Sequence, residues 1–315
     1  MQHPDSAPTP LDFSSMVICW GAIGLVFSVS NRIALKVALG AGNSSMQHEH
    51  RIYDMLEKHA QCPHIVRSVL RLPDLNFMEN MTGGNLEARL RSRQVRDGHD
   101  FASVLSLEPT NLVSRWMAEL ASAAAWLESL GLAHGDVRPM NILLDSADHI
   151  KLADFDCAAE IGKQELEACG APYARVQGPE AGKDKGTFGL IGPRTEQFAI
   201  GSVFYYLTRG HEPYEDTSVA GPERVDLLQR KQFPSTDPND TRDAVIRRCW
   251  HGDYSSIQQL STEVESLRLD EAVAASKEPS EELRQEALEW YKMWKPSLDD
   301  ERATWIVSSA PSDEA

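Results

Sequence analysis

The segment HGDVRPMNILLD, residues 134–145, constrains this 315-residue chain more than any other. Asp136 is followed five positions later by Asn141, and an apolar run begins at once. A second carboxylate segment, ADFD at 153–156, puts Asp154 eighteen positions after Asp136. Between them ILLD and HIKLAD flank the turn Ser146-Ala147-Asp148, so a hairpin is predicted here.

The pattern changes character along the chain. MVICW, LVFSVS and RIALKVAL are short β-like runs, the first two separated by glycines and the last two by an Asn-Arg turn, which predicts a meander. Met46 to His59 has the pattern of an amphipathic helix, with Ile52, Met55 and Leu56 on one side. CPHIVRSVLRL and LNFMEN read as two more strands around Pro73-Asp74. After Gly83-Gly84 the periodicity turns helical: Leu112, Trp116, Leu120, Ala123, Ala124 and Leu127 share a face, and the helix stops at Gly131. Residues 92–110 read as a polar loop. Thr195 to Thr208 is apolar enough for a buried helix. Strands first and helices after predict an α+β fold, with a small sheet lobe ahead of a larger, mostly helical lobe.

In its motifs the chain resembles the protein kinase family, and several segments resemble divergent kinase-like proteins of filamentous fungi. The resemblance covers residues 15–266. It implies an N-terminal lobe at 15–78, a hinge at 79–83 and a C-terminal lobe at 84–266. It also implies ATP and Mg²⁺ as cofactors and a protein hydroxyl as acceptor. Phosphoryl transfer needs an oriented nucleophile and neutralised phosphate charge. By resemblance, Asp136 orients the acceptor hydroxyl and takes its proton, and Arg138 faces the transferred phosphate. Asn141 and Asp154 offer hard oxygen ligands to Mg²⁺. Lys36 in IALKV holds the α- and β-phosphates, with Glu49 as its expected partner in preference to Glu57. Gly21, Gly24 and Val26 match the glycine-rich loop, where glycine lets backbone amides approach phosphate. Glu79 and Met81 would offer backbone groups to adenine, and Met78 would be the gatekeeper.

Several positions depart from the family pattern. Cys19 stands at the first loop glycine and Gly135 at the Arg before the catalytic Asp. Asp156 stands at the glycine of the DFG motif, where unusual φ is expected, and Glu196 where an Asp normally holds the catalytic-loop backbone. The last helices carry Ser where an Arg would meet Glu180, in GPE at 178–180. Tyr173 is the only hydroxyl between residues 157 and 180, so activity independent of activation-loop phosphorylation is expected.

Charge and cysteine content narrow the partners. A formal charge of −16 disfavours nucleic acid and anionic membrane surfaces. Five widely spaced cysteines without a CxxC pair disfavour a disulfide framework or zinc site, and a cytoplasmic or nuclear location is expected. His48, His50, His59 and His64 have no ligand spacing, and Cys157 is expected to be buried and inert. Residues 1–14 read as a disordered lead-in. Residues 267–315 form an acidic tail whose helix LRQEALEWYKMWK is expected to pack on the helical lobe. Three functions remain: an active protein kinase phosphorylating Ser or Thr; a nucleotide-binding pseudokinase scaffold; and a small-molecule phosphotransferase of the aminoglycoside or choline kinase type.

Overall fold

The computed structural model describes residues 13–21, 24–40, 42–167, 170–268 and 281–309. They fall into two compact units, one within 13–53, 67–80 and 281–309, the other within 54–66 and 81–268.

In the first unit, a short helix α1 (Phe13–Met16) leads into β1 (Val17–Trp20), β2 (Gly24–Ser28) and β3 (Ile33–Ala38). Helix α2 (Ser44–Leu56), β4 (Ser68–Leu72) and β5 (Leu75–Glu79) follow. The predicted meander and the two later strands join in one antiparallel sheet of order β1-β2-β3-β5-β4. Strand β3 is central, and the two-residue period of a strand separates its faces. Ile33, Leu35 and Val37 pack with Leu25, Phe27, Leu75 and Phe77, whereas Lys36 points the other way, toward α2.

Two expectations fail in this unit. The tail helix, the last of the chain (Glu281–Ser309), packs on the sheet, where packing on the helical lobe was expected. It buries Leu283, Ala287 and Leu298 against Phe27, Leu35 and Phe77, and Trp290 and Tyr291 meet Phe77 edge-on. The physical reason is that the sheet's aromatic face would otherwise stay wet, and burying such rings is strongly favourable. The lead-in also ends earlier than expected. Phe13 is buried against Phe27 and Trp290, while the remainder of that segment, residues 1–12, lies outside the described residues. Polar contacts continue the docking: Ser30 Oγ donates to Glu286 at 2.8 Å, and Arg302 lies 3.3 Å from Asp74.

The second unit opens with α3 (Leu86–Arg91), capped by Asn85, and a hairpin of β6 (Gln94–Asp97) and β7 (Asp100–Val104). This hairpin corrects the loop expected at 92–110. Gly98 turns it at φ 59°, and its anchors are polar. Gln94 Nε2 donates to the Gly210 carbonyl at 2.6 Å, and Arg96 pairs with Glu215 at 2.8 Å. Helix α4 (Thr110–Ser129) and β8 (Leu132–Ala133) precede the predicted hairpin, formed by β9 (Ile142–Leu144) and β10 (Ile150–Leu152). Strand β11 (Ala159–Glu160) pairs with β8. Helices α5 (Pro193–Arg209), α6 (Gly221–Gln229), α7 (Thr241–His251) and α8 (Ile257–Glu265) complete the unit, and the tail helix of the sheet unit is α9. Helix α5 is buried along most of its length, as its apolar sequence predicts. Its mid-helix Gly201 has a packing reason, since a Cβ there would lie 2.6 Å from the Cβ of Cys249 on α7. Among the described residues no helix is long and apolar enough to cross a membrane.

Candidate active site

In the sheet unit the antiparallel register sets Val26 beside Lys36 and Lys36 beside Asn76. Lys36 Nζ meets Glu49 Oε2 at 2.7 Å, with both side chains almost fully buried. Glu57 lies past the end of α2 and is exposed, so the expected choice of Glu49 agrees with the geometry. A buried pair of this kind contributes little net stability, yet removing one partner costs about 3–5 kcal/mol because the other charge is stranded. It is an expensive way to hold a lysine in one place.

The glycines of the β1–β2 connection divide into different roles. Gly21 N–H donates to the Gly24 carbonyl at 2.8 Å, which ties the end of β1 to the start of β2. Gly24 is required by packing, because a Cβ there would lie 2.4 Å from the Val37 carbonyl oxygen. Cys19 lies opposite Val26, next to a register shift in the β1–β2 ladder. At the end of β5, Glu79 accepts from the Arg67 N–H at 2.9 Å, and its own N–H donates to the Arg67 carbonyl. Met78 is buried, with the Tyr53 hydroxyl 3.9 Å from its sulfur.

The helical unit carries the second group. Asn141 Nδ2 donates to the Asp136 carbonyl at 3.0 Å and to Asp136 Oδ2 at 2.7 Å. Both amide hydrogens are thereby committed, and Asn141 Oδ1 remains as an oxygen donor. Arg138 Nε lies 3.1 Å from the same Asp136 oxygen. The hairpin then does the positioning: Ala153 N–H donates to the Asn141 carbonyl at 2.9 Å, which sets Asp154 next to Asn141 along the chain fold. His134 Nδ1 accepts from Asp136 N–H at 3.2 Å, so its proton sits on Nε2, which donates to the Ala153 carbonyl at 2.9 Å.

Glu196 fills the place expected for Asp. Its carboxylate accepts from His134 N–H at 2.9 Å and Gly135 N–H at 3.1 Å, and burial pushes its pKa up from the ordinary carboxylate range. Gly135 itself sits at φ 78°, where a Cβ would lie 2.6 Å from the Cys157 carbonyl oxygen. The expectation of unusual φ at Asp156 is not met. The left-handed residue is Asp154, at φ 69° and ψ 78°, and Asp156 lies within a 3₁₀ turn, Phe155–Cys157. A non-glycine residue in that region is uncommon and marks a conformation imposed by its surroundings.

Other sequence expectations resolve locally. Cys157 is half-buried and not fully buried as expected, yet desolvation, with the carboxylates of Asp156, Asp136 and Asp154, raises its thiol and makes it a poor nucleophile. No group of three or more metal-binding side chains is found among the described residues. Glu180 pairs with Arg175 at 2.9 Å, a contact the sequence did not suggest, in place of the missing Arg. Tyr173 is buried and donates to Glu212 at 2.9 Å. It borders a cavity of about 220 Å³ together with Arg138, Met140, Arg91, Glu87 and Glu212. The two carboxylates there are already engaged, Glu87 with Arg91 and Glu212 with Tyr173 and Arg224.

Fold and motif order together define a kinase-like class. The family described as "Protein kinase domain" matches residues 18–276, and the chain belongs to that family. Among relatives, human Rho-associated protein kinase 1 is 27% identical over 165 residues, 52% of this chain and 11% of that protein. The human putative serine/threonine-protein kinase PRKY is 30% identical over 192 residues, 60% of this chain and 62% of its own length. CBL-interacting protein kinase 4 of Oryza sativa subsp. japonica is 30% identical over 177 residues, 54% of this chain and 35% of the relative. The chain thus aligns with only part of each, about a tenth of Rho-associated protein kinase 1.

Proposed function

We propose that the protein transfers the γ-phosphate of Mg²⁺-ATP to a serine or threonine hydroxyl of a protein. The observation that carries this reading is the Asp136–Asn141 pair, with Asp136 Oδ2 held at 2.7 Å by an amide whose own oxygen is left for a cation. Asp136 orients the acceptor hydroxyl and takes its proton, and Arg138 beside it stabilises charge on the moving phosphoryl group. Asn141 Oδ1 and the Asp154 carboxylate are hard donors that fit Mg²⁺, which would neutralise phosphate charge when bound. In the sheet unit Lys36, held by Glu49, engages the α- and β-phosphates. Gly21, Gly24 and Val26 belong to the loop over the phosphates, and Glu79 and Met81 offer backbone groups to adenine. A protein acceptor is favoured over a small cationic one because Glu87 and Glu212 are already paired. The serine/threonine preference follows the relatives, PRKY among them by its name.

The test is transfer of labelled γ-phosphate from Mg²⁺-ATP to a generic basic protein, with Asp136→Ala alongside. Expected is transfer by the native chain and loss of at least about a thousandfold in the variant, with nucleotide binding retained. Nucleotide binding without transfer by the native chain would refute catalysis and leave a nucleotide-binding scaffold.

A further inference from the structure

Ahead of α5 a group of cations gathers that phosphoryl transfer does not use. Arg175, Arg194, Lys231 and His251 face one carboxylate, Glu180, around a cavity of about 180 Å³ backed by Trp250. Buried Arg175 donates to Glu180 at 2.9 Å and to the Gln229 carbonyl at 3.2 Å. Lys231 Nζ lies 3.9 Å from the same Glu180 oxygen. Arg194 bonds the Phe188 carbonyl and forms no ion pair with a described residue. Three permanent positive charges therefore meet one negative charge, in a chain whose formal charge is −16.

A structural ion network would balance itself, because burying surplus charge is costly. Here the surplus remains: burial, and then the like charge of Arg175, push Arg194 below the ordinary arginine value. Two guanidinium groups present planar forks of donors suited to a tetrahedral oxyanion. A water occupies about 30 Å³ of liquid, so the cavity has room for a phosphoryl group with its first waters. We propose that this cavity binds a phosphoryl oxyanion, as inorganic phosphate or as the phosphorylated side chain of a peptide. The inference does not depend on whether the chain is catalytically active.

The experiment uses the full chain and two probes. Sodium phosphate is titrated against sodium chloride at matched ionic strength, followed by thermal denaturation. A fluorescent phosphoserine peptide and its serine counterpart are followed by anisotropy. Expected is stabilisation by phosphate, with Lys231→Gln and Arg194→Gln each weakening affinity about tenfold. Phosphopeptide binding tenfold or more tighter than phosphate assigns the site to a phosphorylated residue, and equal affinities assign it to the free anion. Lys231 is more than a third exposed, so its variant stays informative if Arg194→Gln fails to fold. Absence of binding by both probes, or binding unchanged in both variants, overturns the proposal.

Discussion

Replacing Leu298 by alanine tests how the sheet unit is closed. Leu298 is 0% exposed, among the side chains α9 presents to Phe27, Leu35 and Phe77. Truncating a fully buried leucine removes its transfer energy and leaves a cavity, which together cost about 2.7–5.0 kcal/mol in a rigid core. A surface-layer helix relaxes more easily than a central one, so about 3 kcal/mol is expected here. Amide exchange by local opening would then accelerate on the order of a hundredfold in β3 and β5. Met293 is 59% exposed on the same helix, and Met293→Ala should change stability by less than about 0.5 kcal/mol. The assay is urea denaturation of both variants with hydrogen exchange resolved to the strands. A Leu298→Ala change below about 0.5 kcal/mol, or equal effects of the two variants, would refute the packing of α9 on this sheet.

Further expectations concern single contacts. Lys36→Met should abolish phosphate transfer and destabilise the chain by about 3–5 kcal/mol, because the fully buried Glu49 carboxyl loses the lysine that pairs with it. The double variant with Glu49→Gln should recover stability without activity, and a double variant as unstable as the single one would contradict the pairing. Gly135→Ala should cost about 2 kcal/mol in a denaturation midpoint, from a Cβ 2.6 Å from the Cys157 oxygen at positive φ. An unchanged midpoint would remove the steric argument. Burial lowers His64 from 6.5 to about 4, so the unfolded chain binds its proton first as pH falls. Stability is therefore present above pH 6.5 and lost toward pH 4, by on the order of 3 kcal/mol. His64→Gln should flatten that part of the pH–stability curve, and an equally steep curve would count against it.

What the sequence made legible is what local spacing determines. Asn141 and Asp154 were predictable neighbours because a short hairpin fixes register. Glu49 was separable from Glu57 because one lies mid-helix and the other past its end. The docking of α9 was not legible: a helix's apolar stripe says that a face is buried and not what covers it. Nor was the β6–β7 hairpin, whose anchors Gln94 and Arg96 are polar and bond partners more than a hundred positions away. Phe13 was hidden in a Pro- and Ser-rich segment, because one buried ring leaves no periodicity. The Arg175–Glu180 pair was equally silent, since two charges five positions apart outside a helix carry no pattern.

The motif departures that suggest a scaffold each meet a local accommodation. Cys19 pairs with Val26 just after a register shift in β1 and has no positive φ, so a side chain there fits the backbone without strain. Asp156 occupies a 3₁₀ turn with ordinary φ, and the strain falls on Asp154, the residue proposed above to meet the cation. Glu196 is one methylene longer than Asp, yet it still accepts both catalytic-loop N–H groups. Gly135, one of those two donors, sits where a Cβ would lie 2.6 Å from the Cys157 carbonyl oxygen, so the loop that meets Glu196 has no room for a side chain there. Glycine and glutamate thus meet at one contact, the Gly135 N–H to the Glu196 carboxylate. Restoring aspartate at 196 alone should pull the carboxylate off at least one N–H and cost about 1–3 kcal/mol for the orphaned donor. Full stability of Glu196→Asp, measured by urea denaturation, would show that the two substitutions are independent.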